Sequence, residues 1–411
     1  MIEHIADKLI ILVSSTLLLC YLGSVFYTKT KIPDIIWVMA FGMLLGPVLG
    51  YFDRDLFLSI SPMMSTIALS IILFDAGINV DITTLLKAMA KSTGLAIASF
   101  ISIVVAVGLT LNFLMPNSFT VLQAMLLGSM VGGTSTIAIF GIISGIEKLI
   151  PNTESTRVIL MMESVISDPI CIIVAITIIR MIMYPSVSLF DGLKDILYIF
   201  SISSIFGLIV GLIWAEVLNI MRTRSLSYLM TLAILFPCYL IAERIIGEGG
   251  GPMAALVFGL MLTNYKYVFR SIGVTRSLKV DKQRLREFHE ELTFFIKAFF
   301  FVYIGLIVTI SIEYLKIGMV VVVIILIMRF VVATTVGRAM SFSKEEMVLT
   351  RLIFAQGLPA FVMSQLPMIL DPERQHFLNP EIYPNLCMPI VLGTVLIAAI
   401  LGPMIAKKEL L

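Results

Sequence analysis

Thirteen apolar runs of membrane-spanning length constrain this chain more than any other feature. They fall near residues 8–27, 33–51, 57–78, 88–114, 119–146, 157–183, 192–220, 226–245, 251–267, 289–311, 315–338, 349–370 and 385–406. A helix needs roughly 17–25 residues to cross a hydrocarbon core about 30 Å thick. Inside that core every backbone amide must find its partner within the protein, so the runs read as helices. With 59% hydrophobic and 14% charged residues and short loops, little remains for a soluble domain. The first run has no basic n-region or small-residue cleavage site and is expected to be a retained helix. The expected fold class is an all-α polytopic membrane protein of about thirteen transmembrane helices.

Basic residues orient the bundle. With the N-terminus outside, twenty Lys and Arg fall in inner loops or at their edges and seven on the outer side. That bias predicts a multi-pass protein of the cell membrane with its C-terminus in the cytoplasm. The net charge of +2 gives no reason to expect a nucleic-acid partner, and inner-leaflet lipid explains the basic cluster at 266–286. Cys20, Cys171, Cys238 and Cys387 are scattered, and His4, His289 and His376 lie in or beside loops. Neither set makes a redox or metal motif, so no cofactor is expected.

One run carries charge where it should carry none. Met162-Glu163-Ser164-Val165-Ile166-Ser167-Asp168-Pro169 lies inside the apolar stretch from Arg157 to Tyr184. An unanswered charge at that depth costs roughly 2.5–3.5 kcal/mol on insertion scales. At helical spacing Ser164 and Asp168 share a face, and Glu163 and Ser167 pair beside it. A carboxylate with a hydroxyl suits a cation, whereas Glu163 needs a positive partner. Arg329, mid-run, reaches neither surface and is the natural one, since such pairs can be bidentate. Lys297, about two turns from the inner end of the tenth run, reads either as snorkelling or as functional. Asp75, near the inner end of the third, reads either as a water-boundary residue or as part of an inward pathway.

The fifth run contains Gly128-Ser129-Met130-Val131-Gly132-Gly133-Thr134-Ser135-Thr136, poor helix formers at mid-membrane. Close helix packing is one reading. The other is a broken helix, 119–146, whose freed carbonyls line a polar cavity. That reading gains from a recurrence at 349–370, where Ala355-Gln356-Gly357-Leu358-Pro359 combines an amide, a Gly and a helix-breaking Pro. Interrupted spans five and twelve fit two six-helix repeats, 1–184 and 226–411, around a linking helix in 185–225. Seven spans separate matching helices, so the repeats are inverted, as in secondary transporters with a midplane site.

These stretches together resemble the monovalent cation/proton antiporter family, specifically its thirteen-helix sodium/proton antiporter branch in archaea and bacteria. The likeness rests on Phe74-Asp75-Ala76-Gly77, Val131-Gly132-Gly133-Thr134, Glu163-Ser164 with Asp168-Pro169, Arg329 and Leu358-Pro359. It spans nearly the whole chain, and the Glu-Ser-x-x-x-Asp-Pro run is its specific part. The resemblance implies a homodimer in the membrane lipid, each protomer moving a six-helix core like an elevator against a dimerisation domain. Three positions depart from the family pattern. Ser167 stands where Asn or Asp usually precedes the transport aspartate, Ser135 replaces an Asp, and Ala355 replaces an Arg. Losing opposite charges at 135 and 355 leaves the sum unchanged and reads as a coupled swap.

The function expected is exchange of a monovalent cation, Na+ first, for H+. Asp168 holds one or the other, and only a neutralised site crosses the low-dielectric barrier. Ser164, Thr134 and Ser167 join it at the site, with Glu163 and Arg329 as a supporting pair. Gly133, Ser135, Thr136, Gln356, Gly357 and Pro359 form the breaks, and Asp75 and Lys297 are pathway candidates. With no second acid beside Asp168, one cation per proton is expected. K+/H+ exchange, or another solute on the same fold, is the alternative. An intramembrane aspartyl protease would need a second facing aspartate. A channel would show rings of acids or carbonyls along a pore. No enzymatic activity is expected.

Overall fold

Every regular element among the described residues is helical. The computed structural model describes residues 10–23, 34–52, 54–135, 139, 143, 146, 154–184, 189–221, 228–247, 249–271, 281–309 and 311–410. His4 and Thr136 lie outside them. The helices are α1 (Ile10–Gly23), α2 (Asp34–Met43, continued as a π segment Leu44–Val48), α3 (Arg54–Ser59), α4 (Ser61–Asn79) and α5 (Ile82–Leu114). Then come α6 (Val121–Met130), α7 (Glu154–Met183), α8 (Leu189–Ile220), α9 (Leu229–Ile241, with a π segment Ala242–Ile246) and α10 (Gly250–Ser271). The chain ends with α11 (Lys282–Ile307), α12 (Ile312–Ala339), α13 (Lys344–Leu352), α14 (Leu358–Ser364), α15 (Leu366–Leu370) and α16 (Ile382–Leu410). Each apolar run of the sequence carries one or more of these helices.

Six of them are long and apolar enough to cross a membrane. Their outer faces confirm the solvent. Ile97, Ile101, Val105, Leu109 and Phe113 form an exposed stripe along α5 at a spacing of four. Water would not tolerate so continuous an apolar surface, whereas lipid matches it.

The chain divides into two compact units. The first comprises Met1–Met64, Ala90–Cys171 and Lys297–Leu411; the second comprises Ser65–Met89 and Ile172–Ile296. In the first, α12 packs on α13 and α16, and α14 packs on α6 and α16. There α2 and α11 cross backbone to backbone: a Cβ on Gly305 would lie 2.5 Å from the Met39 carbonyl oxygen. In the second unit α10 packs on α8 and α9. There α4 and α10 cross in the same manner, a Cβ on Gly259 falling on the Phe74 carbonyl and one on Gly77 on the Leu256 carbonyl. Small residues at such crossings give the close van der Waals approach that helix association in lipid requires.

His289 corrects the sequence reading. It lies within α11 and is fully buried, its ring tilted against Phe74 at 4.8 Å between ring centroids, rather than beside a loop.

Candidate ion-binding site

Both interrupted spans stop half-way. α6 has ten residues and α13 nine, so at 1.5 Å per residue each reaches on the order of 15 Å, half a hydrocarbon core. Each opens on a capping box, Thr120 with Gln123 and Ser343 with Glu346, which satisfies the first orphan amides. Each then gives way to irregular backbone, Val131–Ser135 in one and Ile353–Gly357 in the other. Pro359 sits in the first turn of α14, where a missing N–H costs nothing. It opens the second half-helix; the break itself is the extended stretch before it.

The breaks meet each other. The Ser135 N–H donates to the Ala355 carbonyl at 2.8 Å, and a Cβ on Gly357 would lie 2.6 Å from the Ser135 Cβ. The first break also lies against α7. Ser164 Oγ donates to the Thr134 carbonyl at 2.6 Å, while the Thr134 N–H donates to Ser167 Oγ at 3.3 Å. Ser167 in turn donates to the Ser164 carbonyl at 3.1 Å. Two serines of α7 thus take up one amide and one carbonyl that the broken helix releases, which answers the membrane's demand for internal pairing. Gly133 is required by this approach, since a Cβ there would sit 3.0 Å from Cys171 Sγ and 3.5 Å from Asp168 Oδ1.

Asp168 therefore lies beside the break, buried at 9% exposure, with Ser164, Ser167, Thr134 and Ser135 buried around it. Thr134 Oγ1 and both amide atoms of Gln356 are buried without a hydrogen-bond partner. Lys297 lies within electrostatic reach of Asp168. It is ten residues, about 15 Å, from the C-terminal end of α11. Asp75 sits in the second unit, half-buried on α4, with Asn79 Nδ2 donating to its carboxylate at 3.2 Å.

Glu163 and Arg329 form the pair their burial requires. One guanidinium nitrogen bonds Glu163 Oε1 and the other Glu163 Oε2, the latter at 2.8 Å, with both side chains 1% exposed. Arg329 also donates to Ser99 Oγ at 3.1 Å and to the Thr350 carbonyl at 2.6 Å. Thr350 belongs to the last turn of α13, whose carbonyls have no partners within the helix. The guanidinium thereby meets the negative end of the half-helix that stops at the break. Nothing in the sequence marked Ser99, a single hydroxyl in a long apolar helix, or the Thr350 carbonyl.

A second polar cluster lies at the start of α13. Glu346 accepts from Lys91 Nζ at 2.7 Å, from Ser155 Oγ at 2.7 Å and from the Ser343 N–H at 3.0 Å. It joins α5, α7 and α13, and the sequence reading missed it because each member looked like an ordinary loop-end polar residue.

A membrane-embedded helical bundle, with two half-helices abutting a buried carboxylate, is the architecture of a secondary transporter. The chain belongs to the sodium/hydrogen exchanger family: residues 14–408 match the family described as "Sodium/hydrogen exchanger, transmembrane". A probable Na(+)/H(+) antiporter 2 of Methanocaldococcus jannaschii is 24% identical over 285 residues. That alignment covers 67% of this chain and 64% of the relative, a little under two thirds of the relative's length. The fold is similar to that of the sodium proton antiporter MjNhaP1 from the same organism, solved at pH 8. The TM-score is 0.79 at 19% identity over 98% of this chain and 99% of the other. A second structure of MjNhaP1, an electron-microscopy map, gives a TM-score of 0.73 at 19% identity over 98% of each chain.

Proposed function

We propose that this protein exchanges a monovalent cation, Na+ in the first instance, for H+ at Asp168. The observation that carries the reading is the first break fastened to α7 beside Asp168, with a buried, unpartnered Thr134 hydroxyl at the same place. A hard cation there would find the Asp168 carboxylate together with neutral oxygens of Ser164, Thr134 and the broken helices. Cation and proton compete for one carboxylate. An empty, ionised Asp168 carries an unanswered charge into the barrier, whereas either ion neutralises it; this enforces exchange and suppresses leak. One cation then moves per proton, and the work is transport rather than catalysis of a covalent change.

The alternation is assigned to a six-helix core moving as an elevator against a dimerisation domain within a homodimer. The N-terminus is assigned to the outside and the C-terminus to the cytoplasm. Inverted repeats 1–184 and 226–411, linked by 185–225, underlie the two access states. Two correspondences support the repeats. When spans seven apart are matched, the α2–α11 glycine crossing corresponds to the α10–α4 crossing, and the capping box of α6 to that of α13.

The test is proton flux in proteoliposomes driven by Na+, Li+ or K+ in turn. The parent should respond to at least one cation, and Asp168→Asn should respond to none while remaining folded and dimeric. Normal exchange by Asp168→Asn would overturn the assignment. A response to K+ alone would move the substrate from Na+ to K+.

A further inference from the structure

We propose that Gln356 is a selectivity residue, its side-chain amide oxygen facing the cation held at Asp168 and helping to decide which monovalent cation is accepted. This inference rests on the exchange reading above. Gln356 is 1% exposed, and neither its amide oxygen nor its amide nitrogen has a hydrogen-bond partner. Buried polar groups are normally paired, and one left unpaired at both ends calls for a specific explanation.

The main chain around it is fixed on both sides. The peptide linking Ala355 to Gln356 accepts from the Ser135 N–H at 2.8 Å and donates, through the Gln356 N–H, to Thr394 Oγ1 at 3.2 Å. Gly357, next in the chain, lies directly against Ser135. The side chain is therefore held at the crossing of the two breaks, where the Thr134 hydroxyl is also unpartnered. Gln356 and Thr134 together leave three buried polar atoms without partners on the two breaks that cross here, and the first of these breaks packs beside Asp168. A cation, directly or through a retained water, takes up the Gln356 and Thr134 oxygens, while the Gln356 amide N–H needs an acceptor such as that water.

The chemistry separates this residue from Asp168. An amide oxygen is a hard, neutral donor that suits a monovalent cation and does not titrate. It acts on the cation branch of the cycle and leaves the proton branch alone. Reach and dipole strength of such a neutral ligand discriminate among ions by size and hydration, in the manner of carbonyl oxygens in selectivity filters.

The test uses the full-length parent, Gln356→Leu, Gln356→Asn and Asp168→Asn. Half-saturating concentrations of NaCl, LiCl and KCl are measured in proteoliposomes, with choline chloride holding ionic strength. Cation-induced thermal stabilisation is measured in detergent. Gln356→Leu should raise the half-saturating concentration of the preferred cation about tenfold and change the Na+:Li+:K+ ratio, as expected for losing a contact to a charged species. The alkaline limb of its pH profile should stay with the parent. Gln356→Asn, with a shorter reach, should lie between. Parent-like saturation and ratio in Gln356→Leu overturns the proposal; should that variant fail to fold, parent-like values in Gln356→Asn do so. If Asp168→Asn still exchanges, the exchange reading itself fails. If Asp168→Asn is dead while Gln356→Leu matches the parent, only the role of Gln356 falls.

Discussion

Ser135 and Ala355, the two positions where the family resemblance implies an Asp and an Arg, are hydrogen-bonded to each other, N–H to carbonyl at 2.8 Å. That contact places the two positions side by side, as a coupled swap of the two charges would require. Arg329, already paired with Glu163, meets the Thr350 carbonyl at the end of α13 and adds no net charge at 355. Restoring one side-chain charge alone should therefore be worse than restoring both. Ser135→Asp and Ala355→Arg should each lower the melting temperature, a buried unpaired charge typically costing about 3–5 kcal/mol. The double variant should lose clearly less than the two singles together. Additive losses in thermal unfolding would show that the positions are independent.

Glu163 and Arg329 make the same argument in the native chain. Either single change to Ala strands a charge at 1% exposure, and the expected loss is again about 3–5 kcal/mol. Glu163→Ala combined with Arg329→Ala should cost far less than the sum, because no charge is left uncompensated. Arg329→Lys should recover only part of the loss, since an ammonium cannot make the fork to Glu163 and also reach Ser99 and the Thr350 carbonyl. A lysine variant as stable as the parent would count against the bidentate geometry.

The Lys91–Glu346–Ser155 cluster gives a pH-dependent prediction. Burial pushes the Glu346 carboxyl up, but its bonds to Lys91, Ser155 and the Ser343 N–H outweigh that and hold it below the usual glutamate value of 4.5. A depressed carboxylate stabilises the fold above 4.5, and that contribution is lost as pH falls through the lower folded-state value. Glu346→Gln should thus narrow the melting-temperature gap to the parent below about pH 4.5. Added salt should weaken the parent more than the variant, because Lys91 is 34% exposed and partly screened. A gap that is constant across pH would mean the cluster does not contribute through its charge.

The spans and the breaks were legible because both follow from the bilayer's intolerance of unpaired backbone. Arg329 announced its partner for the same reason: a mid-span guanidinium has few buried acids to choose from. What the sequence could not supply was helix limits and rotation. The helix α11 begins at Lys282, seven residues before His289, where the apolar run starts. That early start puts His289 inside a helix. Pro359 was read as the breaker, although the interruption is the extended segment before it. Ser167 was placed with Asp168, Ser164 and Thr134 at the ion site, but its backbone partner could not be read from the sequence. It accepts the Thr134 N–H, a contact that only the partner helix decides.

Competition at Asp168 makes the sharpest kinetic prediction. If proton and cation exclude each other there, the apparent KM for the cation should rise about tenfold per pH unit once the carboxyl is mostly protonated. Saturating cation should restore the rate, so the acid limb of a bell-shaped pH profile should move to lower pH as cation increases. The alkaline limb should stay fixed, because it reports the supply of protons for the return step. Ser164→Ala separates the two ligands further. Its hydroxyl proton is committed to the Thr134 carbonyl at 2.6 Å, which directs the oxygen lone pairs away from that bond and leaves them to serve a cation. The variant loses this oxygen and frees the Thr134 carbonyl, so cation affinity should fall by about tenfold or more while proton binding changes little. The measurement is initial exchange rate for parent and Ser164→Ala across a pH series at several cation concentrations. An acid limb that does not move with cation would rule out competition at one carboxylate and point to a separate proton-sensing group. Lys297, within reach of Asp168, and Asp75 on α4 would then be the first side chains to replace.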